Sequence, residues 1–301
     1  MNYKIAAVVV TFNRLELLKQ CVESLRNQTH KLDEILIINN SSTDGTLDWL
    51  KEQTDLTVIT QENSGSAGGQ FTGIKTAYEK GYDWIWCIDT DIIFDASALK
   101  NMIDSQFFLL LSTGFLSSTI FFHDGNLAYL NIPELDKPYD LLNSLLLEKS
   151  VTILSASFGS LLINKKVIKH VGYPSKDFFI WGEDAEYTLR IISNGYKGYM
   201  VLNSKAVHEC SENNPKPFLK LKTNDSKFRY GVRNMVYVAK RRNQIIYGST
   251  FRGYLSGLAF VLRLYRDHKN FYKTFAPGYL LDCIFLYIKG IMFTPKIFKP
   301  E

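Results

Sequence analysis

The sequence predicts an α/β fold, a mostly parallel sheet flanked by helices, followed by a basic helical extension. Three observations carry this. The run Ile5–Val10 is continuously apolar and rich in valine, as in a strand buried on both faces. Strand-like and helix-like segments then alternate, with short connections, as far as Asp89. From Lys240 onward there are 11 Lys and Arg against 3 Asp and Glu, whereas residues 1–239 hold 24 against 27. The natural division is residues 1–215 as the α/β unit and 216–301 as a helical, basic region.

In order, Ile5–Val10 is the first strand. Leu18, Cys21, Val22 and Leu25 then fall on one helical face, with Asn13 and Glu16 spaced as a capping box. Glu34–Ile38 is a second strand, and Ser42-Thr43-Asp44 offers caps for a short helix through Leu47 and Leu50. Leu56–Thr60 is a third strand. A Gly-rich turn from Asn63 to Gly69 precedes a helix to about Lys80, stopped by Gly81. Asp83–Asp89 is the fourth strand. Ser105–Phe122 has no charged residue, close to the length of a membrane span, but its Ser, Thr and Gly content points to a helix end and then a core strand. Asp124-Gly125 is a hairpin turn. Thr152–Ile163 and Lys197–Leu202 are further strands, with a helix over Glu183–Ser193 closed by Asn194-Gly195.

Composition excludes several classes. With 301 residues, 46% hydrophobic and 22% charged, the chain can build a full core and is neither disordered nor a disulfide mini-scaffold. Cys21, Cys87, Cys210 and Cys283 form no CxxC pair, so no zinc cage or redox motif follows from them, and a reduced cytosol suits them best. The apolar start reads as a strand and not as a signal peptide. The body is not basic, which argues against nucleic acid as partner.

The sharpest chemical signal is Asp89-Thr90-Asp91 at the tip of an apolar strand. In open α/β sheets ligands sit beyond the carboxyl ends of strands. Two carboxylates there repel unless a cation joins them. Mg²⁺ or Mn²⁺ takes one or two carboxylates and completes its shell with phosphates and water, so a metal-bridged diphosphate is the natural ligand. A solvated turn is the bland alternative. Asn63, Gly65, Gly68 and Gly69 form a second signal: backbone N–H groups and a helix N-terminus that can face phosphate or a sugar oxygen, or simply a tight strand–helix connection. The segment matches neither the dinucleotide nor the P-loop fingerprint. Thr11, Phe12, Asn13 and Arg14 follow the first strand, and Asn39 and Asn40 end the second. They flank one crevice, where amides can meet a pyrimidine edge and Arg14 a phosphate. They would serve equally as turn residues.

Trp181, Gly182, Glu183 and Asp184 open a helix with two adjacent acids. They are either ordinary N-terminal charges or a general base at a pocket rim, with Trp181 as a platform for a sugar ring. The helix N-terminus would lower the basicity of Asp184, and the like charge of Glu183 would raise it. His208, in AVHEC, is a structural histidine or, with Asp91, part of a mixed oxygen and nitrogen shell suited to Mn²⁺.

Taken in order, VVVTFNR, IINNSSTDGT, ENSGSAGG, CIDTDI and FFIWGEDAEYTLR resemble the blocks of family 2 glycosyltransferases of the GT-A fold, over about residues 4–210. The Gly loop, the WGEDAEY block and His208 are most similar to the branch of bacterial galactofuranosyl- and rhamnosyltransferases. The resemblance implies that Asp89, Asp91 and His208 hold a divalent metal (Mn²⁺ or Mg²⁺) on the diphosphate of a UDP- or dTDP-sugar. It implies that Asp184 deprotonates the acceptor hydroxyl, and that Trp181, Gly182 and Glu183 meet the acceptor. Thr11, Phe12, Asn13, Arg14, Asn39, Asn40, Asn63, Gly65, Gly68, Gly69, Asp89 and Thr90 would line the donor site. Two departures stand out: Thr90 replaces a middle acid common in the branch, and Asn39 stands where many relatives carry an acid.

The expected reaction is single displacement with inversion, building a surface glycan on a growing chain or a polyprenyl-diphosphate-linked acceptor. The basic, aromatic C-terminal region suits peripheral attachment to the anionic inner face of the plasma membrane, or packing against the sheet or another subunit as an oligomer. The alternatives are a hexopyranosyltransferase of the same fold, a nucleotidyltransferase, which the lack of a Lys-rich Gly loop disfavours, and a non-catalytic membrane scaffold, which the intact acids disfavour.

Overall fold

A computed structural model of the chain describes residues 3–136, 149–214, 217–272 and 277–300. The strands are β1 (Ile5–Thr11), β2 (Glu34–Asn39), β3 (Leu56–Thr60), β4 (Trp84–Asp89), β5 (Ile92–Phe94), β6 (Thr113–Phe122), β7 (Glu134–Leu135), β8 (Ser150–Ser155), β9 (Leu161–Asn164) and β10 (Lys197–His208). The helices, numbered over the described residues, are α1 (Leu15–Arg26), α2 (Thr46–Lys51), α3 (Gly65–Glu79), α4 (Ala98–Ile103), α5 (Lys165–Val171), α6 (Glu183–Ser193), α7 (Ser226–Tyr247), α8 (Thr250–Tyr272) and α9 (Pro277–Met292). One mixed sheet runs β3-β2-β1-β4-β9-β6-β10-β8-β7, with β5 paired to β10. Its first four strands are parallel, and β9 and β8 are antiparallel insertions.

This order fixes where a site can form. β9 runs against both β4 and β6, so β4 and β6 share a direction, and β10 is parallel to β6. The carboxyl ends of β1, β2, β4 and β10 therefore lie along one edge. The core is apolar on both faces, as the valine-rich run of β1 requires: Ala7 and Val9 pack with α1 and Trp86, and Ala6 and Val8 with Ile74 and Ile85.

Gly73 on α3 shows how tightly the layers fit. A Cβ there would lie 2.1 Å from Val8 Cγ1 and 3.2 Å from Ile38 Cγ1. Overpacking a core costs about 1–3 kcal/mol, against about 1 kcal/mol regained when Gly becomes Ala in a helix. Gly73→Ala is therefore expected to destabilise the fold, by up to about 2 kcal/mol net. A lower urea midpoint with an unchanged slope would show it; an unchanged midpoint would refute the close approach.

Several local expectations change. Asn13 does not cap α1: it has φ 51°, and its Oδ1 accepts from Thr43 N–H at 2.7 Å. The Leu15 N–H donates instead to Asp44 Oδ2 at 3.0 Å, and Glu16 pairs with Lys19. The β1 and β2 loops are laced together, and this overrides the local capping box. The Gly-rich segment is not a turn through Gly69, because α3 already begins at Gly65. Thr152–Ile163 is two strands, β8 and β9, split by the loop at residues 156–160. His208 does not follow its strand; it is the last residue of β10. Within Ser105–Phe122, turns lead to β6, which the sheet buries, and among the described residues no helix is long and apolar enough to cross a membrane.

From residue 217 to Met292 the described residues are mostly helical, and 293–300 form no regular element. α7, α8 and α9 enclose their own apolar cluster, which includes Phe228, Val232, Val236, Val261, Cys283 and Leu286. α7 is capped by Asp225, whose Oδ1 accepts from Lys227 N–H at 2.7 Å.

Candidate active site

Asp89, Asp91, His208 and Asp184 come from β4, the turn after it, the end of β10 and the first turn of α6. Register brings Asp91 and His208 together. Ile92 of β5 pairs with His208, and Glu209 N–H donates to the Asp91 carbonyl at 2.8 Å. His208 Nε2 then stands 3.5 Å from Asp91 Oδ2, and Arg14 Nη1 stands 3.2 Å from the same oxygen.

The electrostatics show that the acids share one space. Burial pushes Asp89 up to about 7, and the charges of Asp91 and Asp184 add to it, against smaller opposite effects of His208 and Arg14. Asp91 is partly buried, which would raise it, but His208 and Arg14 beside it hold it below the usual carboxylate range. Asp184 is raised, chiefly by burial, although the N–H groups of Ala185 and Phe158 oppose the shift. Glu183 is raised by burial and by Asp184. Desolvation thus outweighs the helix N-terminus, leaving Asp184 a stronger base than a free aspartate.

Other expected donor residues serve the framework. Asn39 Oδ1 accepts from Ser42 N–H at 3.0 Å. Asn40 Nδ2 donates to the Gly65 carbonyl at 3.0 Å, and both asparagines are buried. Asn63 Oδ1 accepts from Gly65 N–H at 3.0 Å. The Thr90 hydroxyl donates to the Val10 carbonyl. Gly65 has φ +74°, and its place against the Phe179 carbonyl leaves no room for a side chain. Gly69 lies against Val10, and a Cβ at Gly68 would meet Ser64. Phe12 is exposed and Thr11 buried. Trp181 packs edge-on against Phe218, its rings 5.0 Å apart, and a Cβ at Gly231 of α7 would meet it.

Sequence reasoning missed the supports. Asn234 of α7, fully buried, points Nδ2 at the carbonyls of Phe178, Ile180 and Trp181, 2.7–2.9 Å away. The C-terminal helices thereby hold the strained loop, with Phe179 at φ 65° and Trp181 at φ 63°, that delivers Asp184. Asn131 Oδ1 lies 2.8 Å from His208 Nδ1. No local pattern marks either asparagine, since both act across long stretches of chain.

The Glycosyl transferase family 2 model matches residues 6–107, the half of the sheet that ends in Asp89 and Asp91. The galactofuranosyltransferase GlfT1 of Mycolicibacterium smegmatis is 25% identical over 239 residues, 71% of this chain and 74% of that protein. Residues 6–107 are thus similar to a family 2 glycosyltransferase domain. Among solved structures, the chain is similar to S. aureus TarS residues 1–349, with TM-score 0.62, 14% identity, and 96% of this chain and 81% of that one covered. It is also similar to a mannosyltransferase from Pyrobaculum calidifontis in complex with GDP-Man and Mn²⁺, with TM-score 0.54, 14% identity, and 96% and 88% covered. Both likenesses support a GT-A fold for the chain.

Proposed function

We propose that the chain is an inverting, metal-dependent transferase. It would move a sugar, galactofuranose or rhamnose favoured, from a nucleoside-diphosphate donor to a hydroxyl of a growing surface glycan. One observation supports this: the charge of Asp184 raises Asp89, as expected if the base and the acids at the strand tip border the same space. The name of the mycobacterial relative supports galactofuranose.

The donor set fits a divalent ion. Asp89, Asp91 and His208 offer two carboxylates and an imidazole, and the crowding that raises Asp89 is relieved by a cation. Among the described residues no three such side chains form a ready-made chelate. Mn²⁺ or Mg²⁺ in transferase sites is commonly held by one or two protein groups plus substrate phosphates. Bound there, the ion would offset charge on the leaving diphosphate. Arg14 assists from the Asp91 side.

Asp184 takes the acceptor hydroxyl proton as that oxygen bonds to the anomeric carbon. The bond from this carbon to the diphosphate oxygen breaks on the opposite face, so the configuration inverts. Turnover of UDP-galactofuranose, dTDP-rhamnose and UDP-hexopyranoses tests the reading. Transfer from one of the first two is expected; transfer from hexopyranoses alone would overturn the sugar assignment, and no turnover or binding with any donor would favour the scaffold reading.

The C-terminal helices support attachment to an anionic bilayer at the cytoplasmic side. α9 is apolar around most of its circumference. Tyr279, Cys283 and Leu286 face inward, while Leu281, Ile284, Phe285, Ile288 and Met292 face solvent. Phe251, Leu255 and Leu262 line the outer face of α8. Cations stand at the margin, with Lys289 Nζ 4.5 Å from the Phe285 ring centre and Arg252 5.3 Å from that of Tyr247. A two-fold contact would bring basic surfaces together, whereas an anionic leaflet attracts them. Sedimentation with phosphatidylglycerol-containing vesicles is expected for the wild type and not for Ile284→Asp/Ile288→Asp. A concentration-dependent dimer that ignores vesicles would assign the face to a second copy.

A further inference from the structure

We propose that Asn131 is a positioning residue for His208, held in turn by the loop at residues 156–160, which also contacts the helix that carries the base. The inference rests on the metal reading above and goes beyond it. Asn131 Nδ2 donates to Ser157 Oγ at 2.9 Å, which turns Oδ1 toward His208 Nδ1 at 2.8 Å. An amide oxygen only accepts, so Nδ1 must carry the hydrogen. In the neutral ring, Nε2 then keeps its lone pair, and it faces Asp91 Oδ2 at 3.5 Å. A lone pair aimed at a carboxylate is repulsive unless a proton or a metal cation lies between them. Asn131 thus fixes the imidazole tautomer and orientation that a cation at this place requires.

Asn131 is itself held. It ends a short 3₁₀ turn, Tyr129–Asn131, whose Tyr129 N–H donates to Asn213 Oδ1 at 2.8 Å. Asn213 Nδ2 donates back to the Leu127 carbonyl at 3.0 Å. Across the contact, Gly159 keeps the space clear, since a Cβ there would lie 2.7 Å from Asn131 Nδ2 and 3.2 Å from Ser157 Oγ.

The same loop reaches the helix of the base. The Thr188 hydroxyl of α6 donates to the Asp184 carbonyl at 2.7 Å. The Ala156 N–H lies 3.4 Å from Thr188 Oγ1 on α6. One short connection between β8 and β9 therefore touches both Asn131, on the donor side, and the first turns of α6, on the acceptor side.

Mn²⁺ titration followed by electron paramagnetic resonance, with UDP present, separates the possibilities without relying on turnover. Wild type is expected to bind. Asn131→Ala is expected to bind Mn²⁺ about 10–100-fold more weakly, the usual loss when a ligand's hydrogen-bond partner is removed. Its kcat should recover at saturating Mn²⁺, a split that mere loosening of the fold would not produce. Asn131→Asp keeps an acceptor for Nδ1–H and should restore most of the affinity. Ser157→Ala, which frees the amide to rotate, should weaken binding in the same direction and guards against an Asn131→Ala protein that fails to fold. Wild-type affinity in both Asn131→Ala and Ser157→Ala overturns the role of Asn131 and leaves the metal reading standing. A wild type that holds no Mn²⁺ overturns the metal reading and this inference with it.

Discussion

Replacing Asp184 with Asn is expected to lower transfer about 10²–10⁴-fold, the usual worth of a positioned general base, while leaving donor binding in place. The substitution is close to isosteric. An Asn oxygen can still accept from the Ala185 N–H, which lies 2.7 Å from Asp184 Oδ1, so the first turn of α6 should hold. Only the ability to take a proton is lost. Because burial raises Asp184, the ascending limb of the wild-type pH–rate profile should lie above the range of an ordinary aspartate. The sign follows directly: below that limb the carboxyl is protonated and cannot act as base, and the rate climbs as pH rises through it. Thermal protection by UDP with Mn²⁺ should be similar in wild type and Asp184→Asn. Turnover within a few-fold of wild type, in a folded protein, would remove Asp184 from the mechanism.

The parts of the fold readable from sequence are those whose cause is local. β1 shows itself because a strand covered on both faces must be apolar without alternation, and α1 because Leu18, Cys21, Val22 and Leu25 keep helical spacing. Asp89 and Asp91 stand out because charge at the end of WIWCID has no packing reason. Long-range register is a different matter. Nothing near Ile92 says that it will pair with His208, yet that pairing brings an imidazole to Asp91. The capping box at Asn13 fails for the same reason, since a loop far along the chain supplies Asp44. The glycines mislead in another way. A ligand and a neighbouring strand both demand the absence of a side chain, and at Gly69 the neighbour is Val10.

Asp91→Ala separates function from stability most sharply, because the two are expected to respond differently. Transfer should fall at least about 100-fold, beyond the upper range for losing a group that only supports a metal ligand. Donor protection should fall with it, and EDTA should reproduce the effect in wild type. Stability without metal should barely change. The Arg14 pair that would be lost is half-exposed on the arginine side, at 49%, and such pairs contribute about 0–1 kcal/mol. Against this, removing Asp91 takes away a charge that raises the partly buried Asp89. The two effects oppose, so the melting temperature in chelator should stay within a few degrees of wild type. Mn²⁺ with UDP should raise that temperature in wild type only, because a ligand that binds the native state alone stabilises it. A large loss of stability without metal would make Asp91 a structural residue held by Arg14 and His208. Undiminished transfer by Asp91→Ala, or by wild type in excess EDTA, would leave the carboxylates at the strand tip without a cation to hold.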